Sequence, residues 1–310
     1  MATVEEPTPQ PAVPKADLAI NLPGGKAFTD AEASHILREN IAPVVVLVGA
    51  VKSGKTTLIA SLHDNFQWGP FAGYLAAGSG TLIGFEERCF DSRHESGSEN
   101  PETLRTRFEE GLIFYHIKAR DEQLNTPIQH LLIADMSGEY YERASDSAVE
   151  MRDLTIIRRA DHLVHLIDGK KLASEELGQR TRSIAAVFMR RCFEEQMLGP
   201  NARVDILVTK WDIVLARLGS DGVQTLLKSL EALFFERCAA RVSRLRVMSI
   251  AARPHFQSEL APGFGLQALF RSWVDELPLQ LAPRTRPVIF ATATRRPFDA
   301  FGIQGNPDTL

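Results

Sequence analysis

The sequence predicts a layered α/β domain built on a mainly parallel sheet with helices on its faces, and three observations carry that expectation. A continuous β-branched run, Val44 to Val48, lies between Pro43 and Gly49, as suits a strand buried on both faces. Strand-like and helix-like segments mostly alternate after it, which at this spacing means βαβ units. Directly after the first strand, Gly49 to Thr56 reads GAVKSGKT. This fits G-x-x-x-x-G-K-[ST] in the strand–turn–helix setting that the motif requires.

The elements follow in order along 310 residues. Residues 1–22 are rich in proline and short of large apolar side chains. They cannot offset their chain entropy by burial, so a disordered tail is expected. The domain should then run over 23–280. Thr29 or Asp30 caps a short helix toward Asn40. After the first strand and the helix TTLIASLHDNF comes an insertion over about 70–110, whose part from Glu86 to Glu110 is polar and reads as a mobile loop. LIFYHIKA (Leu112 to Ala119) and HLLIAD (His130 to Asp135) form one antiparallel strand pair. HLVHLID (His162 to Asp168), VDILVT (Val204 to Thr209) and LRVMSI (Leu245 to Ile250) supply further buried strands. Helical patterns cover Ser147 to Arg159, Glu175 to Met197, Gly222 to Arg241 and Leu266 to Leu277. Alternation sends His162 and His165 to different faces, so they read with Asp161 and Asp168 as strand-end and edge residues. Residues 281–310 form a basic, aromatic tail in which Arg284, Arg286, Arg295 and Arg296 interleave with Phe290, Phe298 and Phe301. It reads as a solvated tail, with a docking surface as the alternative.

Composition excludes several classes. A net charge of −4 argues against a nucleic-acid binder, which needs a basic surplus. No stretch approaches the roughly 20 apolar residues of a membrane span, and no signal peptide is visible. Cys89, Cys192 and Cys238 have no metal-ligand spacing, so a reduced, cytoplasmic protein is expected.

The glycine-rich segment is a phosphate cradle. Gly49 and Gly54 let the backbone wrap closely so that several N–H groups converge on phosphate oxygens. The following helix adds the positive end of its dipole. Lys55 sets a charge against the β- and γ-phosphates, and the Thr56 hydroxyl suits Mg²⁺. Lys52, Ser53 and Thr57 complete the expected nucleotide contacts.

Beyond this loop the chain resembles the translation-factor-like class of P-loop GTPases, on three further motifs in the expected order. LLIADMSG ends in Asp135-Met136-Ser137-Gly138, matching D-x-x-G. VDILVTKWD places Thr209-Lys210-Trp211-Asp212 directly after a buried strand, fitting the [NT]-K-x-D guanine reader. VMSIAAR offers Ser249, with Ile250 where that class usually has alanine. The resemblance implies a P-loop GTPase-like three-layer α/β/α fold that binds GTP or GDP with Mg²⁺. Asp135 would hold Mg²⁺ through water, and the Gly138 N–H would sense the γ-phosphate. Asp212 would accept from guanine N1–H and the 2-amino group, a donor pair adenine lacks, while the Lys210 stem covers the base. An N–H near Ser249 and Ile250 would meet guanine O6. For the switch threonine that binds Mg²⁺, Thr81 is the first choice and Thr106 the second. LRTR resembles the segment of heterotrimeric G-protein α subunits that carries an arginine finger, which makes Arg107 the candidate finger, with a solvated loop arginine as the alternative.

Two departures bear on turnover. Glu139 stands where many hydrolysing members carry a water-orienting glutamine, and Val51 where small GTPases carry glycine. Lys52 is placed to supply charge from within the chain. Together these imply slow hydrolysis of the kind a switch uses. AAGSGTLIGFEERC, PETLRTRF and LLIADMSGE are similar to the bacterial double-GTPase families, of predicted signalling or defence systems. That resemblance implies pairing with a second GTPase or another effector on a separate chain. Two alternatives stay open at this point: a GTP-binding scaffold without useful turnover, and an ATP-dependent P-loop kinase or ATPase.

Overall fold

The structure is a computed structural model of the whole chain, described here over residues 24–90, 112–124 and 126–275. Both tails, 91–111 and the candidates Thr106 and Arg107 lie outside the described residues. One seven-stranded sheet organises the domain, in the order β2-β3-β4-β1-β5-β6-β7. The strands are β1 (Val44–Val48), β2 (Tyr74–Gly78), β3 (Ile113–Asp121), β4 (Gln129–Asp135), β5 (His162–Asp168), β6 (Arg203–Thr209) and β7 (Arg244–Ser249). The expected antiparallel pair is β3 with β4. The edge strand β2 adds to it by pairing antiparallel to β3, so β3 alone runs against the others.

β1 is buried at every residue because it has a parallel neighbour on each side and helices on both faces. One face is covered by α2 (Lys55–Gln67), α3 (Leu82–Phe90) and, late in the chain, α10 (Leu266–Val274). Leu58, Leu62, Phe85, Phe270 and Trp273 fill that layer. The other face takes α1 (Asp30–Glu39), α4 (Gly138–Asp146), α5 (Ala148–Asp153), α6 (Ile156–Arg159), α7 (Gly169–Leu172), α8 (Gly178–Glu194) and α9 (Trp211–Cys238). Tyr141, Phe188, Leu230 and Phe234 are buried there. The fold is therefore the three-layer P-loop α/β architecture.

Local chemistry sets the ends. Thr29 caps α1 through a reciprocal box with Glu32. The single pattern from Ser147 to Arg159 is broken at Leu154 and Thr155 into α5 and α6. α9 starts eleven residues before the expected Gly222, at Trp211, and kinks at Gly219, where φ is 65°. Three elements had no sequence expectation: β2, α4 and α7. The expected mobile loop from Glu86 is corrected over Glu86–Phe90, which are helical in α3 because Phe85, Arg88 and Cys89 bury one side of it. Asp161 sits at the foot of β5, where its carboxylate accepts the Val44 amide at 2.8 Å and ties β1 to β5.

A further expectation is corrected. His162 does begin β5, as a strand-end residue should, but neither it nor His165 is an edge residue: both are fully buried, on opposite faces of β5. The rings lie at the centre of a sheet covered on both sides, and alternation distributes them as expected. His165 Nε2 lies 2.9 Å from the Tyr141 hydroxyl. Among the described residues no helix is long and apolar enough to cross a membrane.

Burial pushes the ring pKa values of His165, His162, His116 and His130 down. His165 falls to about 3, with the Lys55 charge adding to the effect. His162 also falls to about 3, with Arg203 adding, and His116 to about 4, with His130 adding. In the unfolded chain each returns toward about 6.5. Below that value the unfolded chain binds protons the folded chain refuses, so their contribution is complete above about pH 6.5 and is lost toward pH 4. Urea denaturation from pH 7 down to pH 4 should show falling stability. The slope should be shallower by about one proton in His165→Asn; an identical slope would remove His165 from the account.

Candidate nucleotide-binding site

The loop between β1 and α2 lies at the carboxyl edge of the parallel strands. The chain places β4 on one side of β1 and β5 on the other there, the topological switch point where α/β sheets bind ligands. Its backbone is locally unusual. Lys52 has φ 66° and Gly54 φ 99°, both left-handed, and such residues turn successive N–H groups toward one concavity. Gly49 admits no side chain, because a Cβ there would lie 2.5 Å from the Leu166 carbonyl and 2.7 Å from Ser53 Oγ. Gly54 is the N-cap of α2, whose first residue is the buried Lys55. Lys55 Nζ donates to the carbonyls of Gly49 at 2.7 Å and Ala50 at 3.2 Å, which holds the ammonium at the centre of the loop. Lys52 is exposed, and Thr56 and Thr57 are half-buried on the first turn of α2.

The D-x-x-G segment meets this loop directly. Asp135 ends β4 fully buried, one strand from Leu47 in register. Gly138 opens α4 so close to the loop that a Cβ would fall 2.5 Å from the Val51 amide nitrogen and 2.7 Å from Val51 Cα. Glu139 is the half-buried second residue of α4. The hydroxyls of Ser53 and Ser137 are buried with no hydrogen-bond partner among the described residues. Two such orphaned oxygens, one in each segment, suit a polar ligand between them.

The TKWD segment closes the other side. Thr209 Oγ1 donates to the Ser53 carbonyl at 2.9 Å and to the Ile167 carbonyl at 3.2 Å. Lys210 Nζ donates to the Lys52 carbonyl at 2.9 Å and pairs with Asp168 Oδ2 at 2.9 Å. Asp212 stands in the first turn of α9, where its Oδ2 accepts the His255 amide at 2.9 Å. Ile250 N–H donates to the Val208 carbonyl, and the Ile250 carbonyl accepts the Trp211 amide, so the end of β7 is held against the TKWD segment.

Thr81 stands apart from these contacts. It is fully buried, and its hydroxyl accepts the His116 amide at 2.9 Å. His116 is in register with Leu132, three residues short of Asp135, which puts it about 10 Å below the carboxyl edge.

Sequence reasoning left two contributors unassigned. Asp168 accepts the amides of Lys170 and Lys171, capping α7, while it pairs with Lys210. Its signal was an Asp-Gly pair ending a buried strand, in register with Thr209. His255 carried no signal, since a loop amide is invisible to motif reading.

A phosphate loop, a D-x-x-G turn packed on it and a TKWD strand end tied to its carbonyls define a P-loop nucleotide-binding protein of the GTPase type. The chain belongs to the Double-GTPase 2 family, whose model matches residues 43–274. No curated protein matches it. Among solved structures it is similar to the signal recognition particle receptor SRb-GTP/SRX complex from Chaetomium thermophilum, at 12% identity and a TM-score of 0.40. That match covers 71% of this chain and 94% of the other. It is also similar to the S. cerevisiae Ski7 GTPase-like domain bound to GTP, at 14% identity and a TM-score of 0.42, covering 80% of this chain. This chain spans about half, 54%, of that Ski7 chain.

Gly138→Ala should push α4 off the Val51 backbone. Overpacking of this kind costs about 1–3 kcal/mol, to be read as a lower urea midpoint. An unchanged midpoint would mean that the contact with Val51 is slack.

Proposed function

We propose that this protein is a Mg²⁺-dependent GTP-binding switch with slow intrinsic hydrolysis. It would act in the bacterial cytoplasm, in a signalling or defence system, through an effector or a second GTPase on another chain. The observation that carries the reading is the direct tie between base reader and phosphate loop, Thr209 on Ser53 and Lys210 on Lys52. A site joined in this way holds the two ends of one nucleotide in fixed relation.

The chain's own residues divide the work. The loop amides and the α2 dipole take the β-phosphate, and Lys55 moves from carbonyl oxygens to phosphate oxygens. Asp212 accepts from the guanine edge while Lys210 lies along the base. Thr56 and Asp135 offer the hard oxygen ligands that Mg²⁺ takes beside phosphates. When bound, Mg²⁺ neutralises charge on the β- and γ-oxygens. Gly138, against Val51, reports the γ-phosphate to α4. Glu139 can accept a hydrogen bond from the attacking water, but its charge faces an anionic phosphate, which slows the reaction. The exposed Lys52 supplies compensating charge. A groove of about 470 Å³ between α4 and α8, reaching Ala50 of the loop, offers a partner access to this reporter.

Binding of GTP, GDP and ATP with Mg²⁺ tests the base assignment. Guanine nucleotides should bind selectively, and Asp212→Asn should lose that preference by tenfold or more, about 1.4 kcal/mol. Equal ATP binding, insensitive to the substitution, would favour the kinase or ATPase reading instead. Single-turnover hydrolysis tests the switch. It should be slow in the native protein, slower in Lys52→Ala and faster in Glu139→Gln. No turnover in any of the three would leave the non-hydrolysing scaffold, which Glu139 favours.

A further inference from the structure

The loop after β7 runs from Ile250 to Gly265 and is pinned at its base and tip. Ala251 bridges to Phe264, and the Gly263 amide donates to the Ala252 carbonyl at 3.1 Å. Arg253 pairs with Asp64 of α2 at 2.7 Å. At the tip, the His255 amide donates to Asp212 Oδ2 at 2.9 Å. The next residue, Phe256, is 85% exposed, and its ring lies 4.5 Å from that of His255 at an interplanar angle of 36°. A short turn holds the pair, since Ser258 N–H donates to the His255 carbonyl at 2.8 Å. An aromatic pair this open to water contributes little to the core, yet it is tethered to the carboxylate assigned to the base.

The base needs more than Asp212 supplies. A carboxylate fixes the hydrogen-bonding edge of a purine and leaves both ring faces uncovered. The Lys210 stem can cover one face, because its ammonium is anchored on Asp168 and the Lys52 carbonyl. Trp211 cannot cover the other: it is buried, at 5% exposure. Stacking on an aromatic ring is the interaction a bare base face favours, and it is tolerant of base identity.

We propose that His255 and Phe256 form a stacking platform over the face of the guanine ring opposite Lys210, with the His255 amide holding the Asp212 carboxylate in the base plane. The proposal rests on the guanine-nucleotide reading given above. It separates two tasks in one site: Asp212 selects the base, and Phe256 retains whichever purine has been selected.

Dissociation of radiolabelled GDP from the full chain tests it. Phe256→Ala should release GDP about tenfold faster, whereas Phe256→Tyr should stay close to the native rate. The GDP-over-ADP preference should be unchanged in Phe256→Ala and lost in Asp212→Asn. All Phe256 variants should melt at the native temperature without nucleotide, because the ring is exposed. An unchanged release rate in Phe256→Ala, in a native protein that binds GDP selectively, would overturn the platform and leave the GTP reading standing. A weakened self-association in sedimentation with native release would reassign the ring to a protein contact and overturn it as well. A native protein that binds no guanine nucleotide would overturn the GTP reading, and the platform with it.

Discussion

The loop from Gly49 to Lys55 works only if its carbonyl groups are occupied by donors, and much of the domain supplies them. The carbonyls of Gly49 and Ala50 accept from Lys55, that of Lys52 from Lys210, and that of Ser53 from Thr209. The Lys52 and Ser53 oxygens are bound from outside the loop, while those of Gly49 and Ala50 are occupied by the Lys55 ammonium at its centre. The N–H and C=O groups of a trans peptide point in opposite directions within one plane, so fixing one orients the other. The left-handed conformation of Lys52, unfavourable for a residue with a side chain, is held by this surrounding frame.

The same frame explains why the site sits at a sheet edge. β1, β5 and β6 run in parallel, so β5 and β6 present Asp168 and Thr209 side by side, two residues beyond Leu166, where Gly49 packs. Side chains at strand ends are positioned by the register of the whole ladder, and β5 and β6 are buried almost throughout. Precision at the site is therefore inherited from the core and owes little to the loops. Asp168 illustrates this: one carboxylate caps a helix and anchors the lysine of the TKWD segment because the strand behind it cannot shift.

Much of this was legible in the sequence, for physical reasons that also mark the boundary of legibility. Val44–Val48 and Val204–Thr209 read as buried strands because β-branched runs have few other uses. The loop and the TKWD segment read as a nucleotide site because charge, glycine and hydroxyl fall at fixed spacing. β2 did not, since Tyr74-Leu75-Ala76-Ala77-Gly78 has little β preference and forms only by pairing with β3. α4 was hidden because its buried positions are Gly138, Tyr141, Ala144 and Ser145, a weak apolar stripe among charges. The burial of His162 and His165 depends on helices that arrive from distant segments, and the His255 amide has no side-chain signature at all.

The bonds that shape the phosphate loop are distant in the chain. Thr209 and Ser53 are 156 positions apart, and Lys210 and Lys52 are 158. During synthesis the loop thus emerges long before the strand that completes it, and a nascent chain ending short of β6 carries the motif without the site. Closing contacts of such length is costly in chain entropy until the intervening strands are in place. Any ligand bound at this site engages the finished fold alone, so its concentration raises the stability of the whole domain by mass action. Occupancy of the site and completion of the fold are in this way linked equilibria.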